Sequence, residues 1–396
     1  MLDRRAFLRH ASLTALGVLA APFAAPRVSL AAGATDARLV FVLLRGGLDG
    51  LHALPPHGDV HFRRLRPTLG RIADEVIDLD GYFGLHPALR ELEPLYRQGE
   101  VLLLPASSTR YRRRSHFDGQ NVLENGSGRP FGAADGWLNR ALGGLRAEDR
   151  RLGLAIGPAV PLILQGTAGV QAWDESGMPE VDEAFLRRLA RAYADDPLFN
   201  EALMAARDAP DVTLSSAQAS GGRLRGEVFE RSAQAAAELL SLAHGPRVAV
   251  IDLDGWDTHF DQARRLDRLL GELGSGLRAL HAGLGAHWAQ TTVVVVSEFG
   301  RTASENGNRG TDHGTGGLTM LLGGRVRGGR IAGAWPGLRS SALHEGRDLA
   351  APNSQEALFK AALIEGVGLS PGYVENVVFP DSRSQAPMVD LFRSRA

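Results

Sequence analysis

The chain has 396 residues, 44% hydrophobic, 22% charged and 6% aromatic, which is apolar mass enough for a large core and excludes disorder of the whole chain. It has no cysteine and a single lysine, Lys360, which removes thiol nucleophiles, iron–sulfur clusters, disulfides and a P-loop Gly-Lys-Ser/Thr. A formal charge of −1, with no long basic run outside residues 110–114, lacks the electrostatic footprint of a nucleic-acid binder. Chemistry therefore falls to Ser, Thr, His, Asp, Glu, Arg or a bound metal.

At the start of the chain, Arg4-Arg5 precede Phe7-Leu8, an apolar run over 11–25 and small residues through Ala32, the pattern of a twin-arginine export signal. The run is alanine-rich and interrupted by Pro22 and Pro26, a poor match to the ~20 residues of a membrane span. The expectation is a leader over 1–32 handled by the twin-arginine translocation machinery. The mature chain is then expected in the periplasm or outside the cell, with no stable membrane span and no nucleic-acid partner.

From Arg38 onward strand and helix patterns alternate. Residues 39–44 form an apolar run stopped by Arg-Gly-Gly, residues 87–96 carry helical spacing, and 101–104 form a second apolar run, so the trio reads as strand, helix, strand with a right-handed parallel crossover. Further strand-like runs lie at 152–156, 160–164, 248–253, 291–296 and 318–322, with a long helical pattern from about 260 to 287. Residues 175–245 read as a helical insertion, with amphipathic stretches at 182–194 and 226–243 around a Ser/Ala/Gly-rich segment at 215–222. The fold class is α/β, one large mostly parallel sheet flanked by helices, in a single domain over 33–396.

Ligands of open α/β sheets gather beyond the carboxyl ends of the strands, so the polar residues beside each run come into focus. Arg45-Gly46-Gly47-Leu48-Asp49-Gly50 follows the first run, and Asp49 is either a cation ligand or the cap of a tight turn. Asp252-Leu253-Asp254-Gly255-Trp256-Asp257-Thr258-His259 concentrates three carboxylates and an imidazole, a charge density that calls for a cation or a buried arginine. Ser297-Glu298-Phe299-Gly300-Arg301-Thr302 offers a carboxylate and a planar guanidinium that could clamp an anion. Gly310-Thr311-Asp312-His313-Gly314, just before the last run, is too polar for core packing. The segment 107–120 brings hydroxyls, arginines, His116 and Asp118, a set suited to acid–base or nucleophilic work.

Together with the Arg-Arg leader, Leu44-Arg45-Gly46-Gly47-Leu48-Asp49-Gly50, Ser115-His116-Phe117-Asp118, Gly255-Trp256-Asp257-Thr258-His259, Ser297-Glu298-Phe299-Gly300-Arg301-Thr302 and Gly310-Thr311-Asp312-His313-Gly314 resemble the exported bacterial family known as domain of unknown function 1501. That family is grouped with the alkaline phosphatase and sulfatase superfamily, whose members hold one or two divalent metals on Asp and His at strand ends. The resemblance implies an alkaline phosphatase-like fold and a divalent metal (Zn, Ca, Mg or Mn). Asp49 resembles the first-strand metal Asp and Asp257 and His259 the middle Asp/His pair, while Glu298 stands near the superfamily's Asp-His and His313 near its late His; Asp254 and Asp312 join them from the local charge pattern. Ser115 is the best-placed nucleophile, with His116 for proton transfer and Arg45 and Arg301 for transition-state charge. This chain departs from the superfamily's pattern in three ways: one residue rather than three separates Asp257 from His259, Glu298 replaces an Asp-His pair, and no clear Ser/Thr nucleophile motif is present. The implied function is metal-dependent hydrolysis of phosphate or sulfate esters, on a small anionic ester or a polymer. The alternative is a non-catalytic periplasmic binding or assembly protein that keeps the fold and one cation.

Overall fold

The structure, a computed structural model, describes residues 36–145, 152–157, 159–174, 183–193 and 228–394. The expected leader and the 215–222 segment lie outside the described residues. In chain order the strands are β1 (Arg38–Leu44), β2 (Ile77–Asp78), β3 (Gly84–Leu85), β4 (Val101–Ser108), β5 (Gly153–Ile156), β6 (Val170–Trp173), β7 (Val248–Leu253), β8 (Thr291–Val296), β9 (Gly317–Leu322), β10 (Arg330–Ile331) and β11 (Asn353–Ser354). β2 and β3 make a small antiparallel pair of their own. The others form one nine-stranded sheet in the order β10-β4-β9-β8-β1-β7-β5-β6, with β11 also paired to β4. Every pairing in it is parallel except the two made by β9, with β4 and with β8.

The central strands are apolar on both faces, as a sheet covered on both sides requires. Alternation along β1 splits its side chains between two cores: Val40, Val42 and Leu44 face one, Leu39, Phe41 and Leu43 the other. The helices used below are α1 (His116–Asn125), α2 (Trp137–Leu142), α3 (Glu183–Ala192), α4 (Val228–Ser241), α5 (Gln262–Leu284) and α6 (Gln355–Ala361). α4 and α5 cover the first face, α5 through Leu266, Leu270, Leu273, Leu277, Leu280 and Leu284 at helical spacing. α2 and α6 cover the second with Trp137, Leu358 and Phe359, rings stacked at 5.2 Å between Trp137 and Phe359. Each fully buried side chain of this size contributes about 1.5–3 kcal/mol. Among the described residues no helix is long and apolar enough to cross a membrane.

Three local expectations change. Residues 160–164 do not form a strand; Leu162–Leu164 is a short 3₁₀ turn, because Pro161 has no N–H to give a ladder. The 87–96 pattern becomes a 3₁₀ turn, Pro87–Leu92, followed by the short helix Glu93–Arg97. β1 and β4 share one sheet and one direction, but β8 and β9 stand between them.

Candidate functional site

Because β1, β4, β7 and β8 run the same way, the segments that leave them emerge at one edge of the sheet. β9 runs against them, so the segment that enters it, 310–316, arrives at that same edge. The loops close tightly there. Gly46 has φ +122°, and a Cβ on it would sit 2.4 Å from the Asp257 nitrogen; one on Gly310 would sit 2.2 Å from the His259 carbonyl carbon.

His116, the first residue of α1, points its Nε2 at His313 Nε2, 2.9 Å away. His313 Nε2 is also 3.0 Å from His259 Nε2 and 3.2 Å from Asp257 Oδ1. Asp257 Oδ1 lies 3.0 Å from His259 Nε2 and 3.6 Å from His116 Nε2. His116, Asp257 and His313 offer ligand atoms all within 4.8 Å of one another.

The opposite nitrogen of each ring decides the tautomer. His116 Nδ1 donates to Glu298 Oε1 at 2.7 Å, His313 Nδ1 to the Arg114 carbonyl at 3.0 Å, and His259 Nδ1 to Asp312 Oδ1 at 3.3 Å. A carbonyl or carboxylate only accepts, so each Nδ1 carries a proton, and a ring that is neutral presents a bare Nε2. The lone pairs of His116 and His259 then each face His313 Nε2 and Asp257 Oδ1 at 2.9–3.6 Å with no donor among the four, and His116, Asp257 and His313 form the set whose atoms all lie within reach of one ion. A cation bound tetrahedrally at about 2.0–2.1 Å spaces its donors about 3.4 Å apart, so both the donor set and its dimensions fit a divalent metal such as zinc.

Glu298 is 1% exposed and its Oε1 also accepts from the Gly46 N–H at 2.9 Å and Gln120 Nε2 at 3.1 Å. Burial pushes its carboxyl up, and the hydrogen bonds led by His116 outweigh that and hold it below its ordinary value. His116 is raised, chiefly by the bond to Glu298, while burial lowers His313. Burial also raises Asp257, and the Arg301 guanidinium overcomes it to give a lowered carboxyl.

Several expected roles change. Asp49 does not join the cluster: Arg66 takes its Oδ2 at 2.7 Å and its Oδ1 at 3.1 Å, Gln262 Nε2 also bonds Oδ2, and the Leu51 N–H bonds Oδ1, so its buried oxygens are spent. Asp254 is exposed and outside the cluster. Glu298 and Asp312 serve imidazoles, at the Nδ1 of His116 and His259. His116, expected to move protons, stands among the donor atoms. Ser115 Oγ caps α1, accepting from the Asp118 N–H at 3.5 Å. Arg301 is fully buried; Nη2 bonds Asp257 Oδ1 at 2.6 Å and the Trp256 carbonyl at 3.1 Å, and Nε bonds the Gly47 carbonyl at 2.6 Å, which makes it an orienting group for Asp257. Arg45 reaches Glu124 at 2.7 Å, Asp252 at 2.9 Å and Gln120 at 3.3 Å, one residue removed from Glu298. Gln120 and the Arg114 carbonyl escaped the sequence reading. The first sits one helical turn after His116, a spacing that could have flagged it; a backbone carbonyl leaves no mark in sequence.

The family described as "Protein of unknown function (DUF1501)" matches residues 106–360, and the chain belongs to it. No curated protein matches the chain. Among solved structures it is similar to Ps i-CgsB in complex with k-i-k-neocarrahexaose (10% identity, 89% of this chain and 77% of that one, TM-score 0.44). It is also similar to a protein in the alkaline phosphatase superfamily from Vibrio parahaemolyticus (12% identity, 74% and 61%, TM-score 0.37). A third is the C-terminal periplasmic domain of EcEptC from Escherichia coli in complex with Zn (9% identity, 74% and 74%, TM-score 0.35). At such distances the chemistry of this site has to be read from its own side chains.

Proposed function

We propose that this chain is an exported, metal-dependent hydrolase of phosphate or sulfate esters. The observation that supports it is the meeting of three bare Nε2 atoms and the Asp257 carboxylate at a strand-end edge, with every Nδ1 committed elsewhere. His116, Asp257 and His313 would hold the ion, with His259 beside them, and the ion would supply Lewis-acid charge to an ester oxygen and an acidified water. Glu298 and Asp312 fix the rings that face the ion. Arg301 keeps Asp257 ionised and pointed at the same spot, and Phe299, 4.9 Å from the His116 ring and 5.2 Å from the His313 ring, backs both imidazoles.

Ser115 is a helix cap, and among the described residues no hydroxyl hydrogen-bonds the side chains of the cluster; this favours a second reading, a binding or assembly protein that retains one cation. Elemental mass spectrometry on chelator-free protein separates the readings when paired with turnover of aryl phosphate and aryl sulfate esters. The hydrolase reading expects at least one divalent ion per chain, with metal and turnover both lost in His116→Ala and His313→Ala. Metal without turnover on any ester moves the conclusion to the binding protein, and a folded, metal-free wild type overturns both.

A further inference from the structure

The stretch between β10 and β11 carries none of the strand-end clusters, yet it reaches the candidate centre through Asp348. This carboxylate is fully buried and takes two arginines: Arg114 Nε donates to Oδ2 at 2.6 Å and Arg347 Nη1 to Oδ1 at 3.0 Å. Both arginines also hold His313. The Arg114 carbonyl accepts from His313 Nδ1 at 3.0 Å, and Arg347 Nη1 donates to the His313 carbonyl at 3.1 Å. The four residues close a ring of hydrogen bonds that grips His313 by its imidazole and by its backbone, with one buried anion on the far side.

Arg114 sits in the left-handed region, φ +62°, where an arginine stays only if its surroundings hold it. Asp348 and Glu345, the latter 2.5 Å from Arg114 Nη2, do so, and that backbone turn aims the carbonyl at His313. The segment is itself fastened to the site loops: the Ala303 N–H donates to the Arg347 carbonyl at 3.1 Å, and the Gly316 N–H and Thr315 Oγ1 donate to the Leu349 carbonyl at 2.9 and 2.8 Å.

We propose that Asp348 is a positioning residue for His313: through Arg114 and Arg347 it fixes the Nδ1–H tautomer and thereby keeps Nε2 bare and aimed at the cluster. The proposal rests on reading that cluster as a metal centre. Without the anion Arg347 loses its carboxylate partner and Arg114 is left with the exposed Glu345, which loosens both holds on His313.

The test is nitrogen-15 histidine NMR of metal-free protein at pH 8, where His313 is neutral, with its signals assigned by their loss in His313→Gln. It is combined with zinc affinity measured against a chromophoric chelator. Wild type is expected as the Nδ1–H tautomer. Asp348→Asn is expected to mix the tautomers and weaken zinc about 10–100-fold while circular dichroism stays native. Arg347→Gln, a half-exposed side chain, loses only the backbone hold and is expected to weaken zinc about threefold. A folded Asp348→Asn with wild-type tautomer and zinc affinity overturns the proposal. If that variant does not fold, unchanged behaviour of Arg347→Gln overturns it instead. A wild type that binds no zinc overturns the metal-centre reading, and the tautomer readout still decides whether Asp348 sets His313.

Discussion

Among the described residues, the close pairs His52–His86 and His116–His313 have opposite characters. His52 and His86 are 2% and 3% exposed, with ring centroids 5.1 Å apart. Among the described residues neither nitrogen of His52 has a hydrogen-bond partner, and His86 Nδ1 accepts from the Ala88 N–H. Burial drives the two down to about 3 and about 4, so both are neutral packing groups. His116 and His313 are closer still, 4.2 Å between centroids, but each has an acceptor behind its ring and the Asp257 carboxylate in front. Proximity is common to both pairs. An acceptor behind Nδ1 is what leaves the Nε2 of a neutral imidazole bare, as a metal ligand requires.

The sharpest way to break that contrast is Glu298→Gln. The new amide can present its NH₂ to His116, which would push the proton from Nδ1 onto Nε2 and aim it into the cluster. Metal affinity is expected to fall about 100-fold in a chelator competition, and an unchanged affinity would mean the anchor is idle. Asp312→Asn removes the outer anchor, which is 53% exposed and 3.3 Å from His259, so the loss expected in the same titration is only a few-fold. His52→Leu should leave metal binding untouched and act on acid stability alone. A histidine with a depressed folded pKa gives stability that is present above its unfolded value, near 6.5, and lost as pH falls through the window down to about 3. Wild type should therefore lose about 1.4 kcal/mol per pH unit from this group below pH 6.5, and urea melts of His52→Leu should show a shallower slope.

The fold was legible where a strand is buried on both faces, because a run such as 248–253 or 291–296 has no other way to hide so many branched side chains. It was not legible in 160–164, equally apolar, where Pro161 prevails, nor in the two-residue strands β10 and β11, too short to carry a pattern. At the site, residue types pointed to the right edge of the sheet but not to the right partners. Asp49, Glu298 and Asp312 look alike in a sequence. One is spent on Arg66, another on His116 and the third on His259, and only neighbours remote along the chain set them apart.

From residues alone come the absence of thiol chemistry, the two-sided burial of the central strands and the crowding of Asp, His and Arg beside their ends. The tertiary structure alone decided that β9 runs against its neighbours, which brings His313 to the edge where His116, Asp257 and His259 emerge. The reason is that side-chain alternation repeats every two residues whichever way a strand runs. Direction is set by ladder hydrogen bonds to β4 and β8, partners that lie far away in sequence.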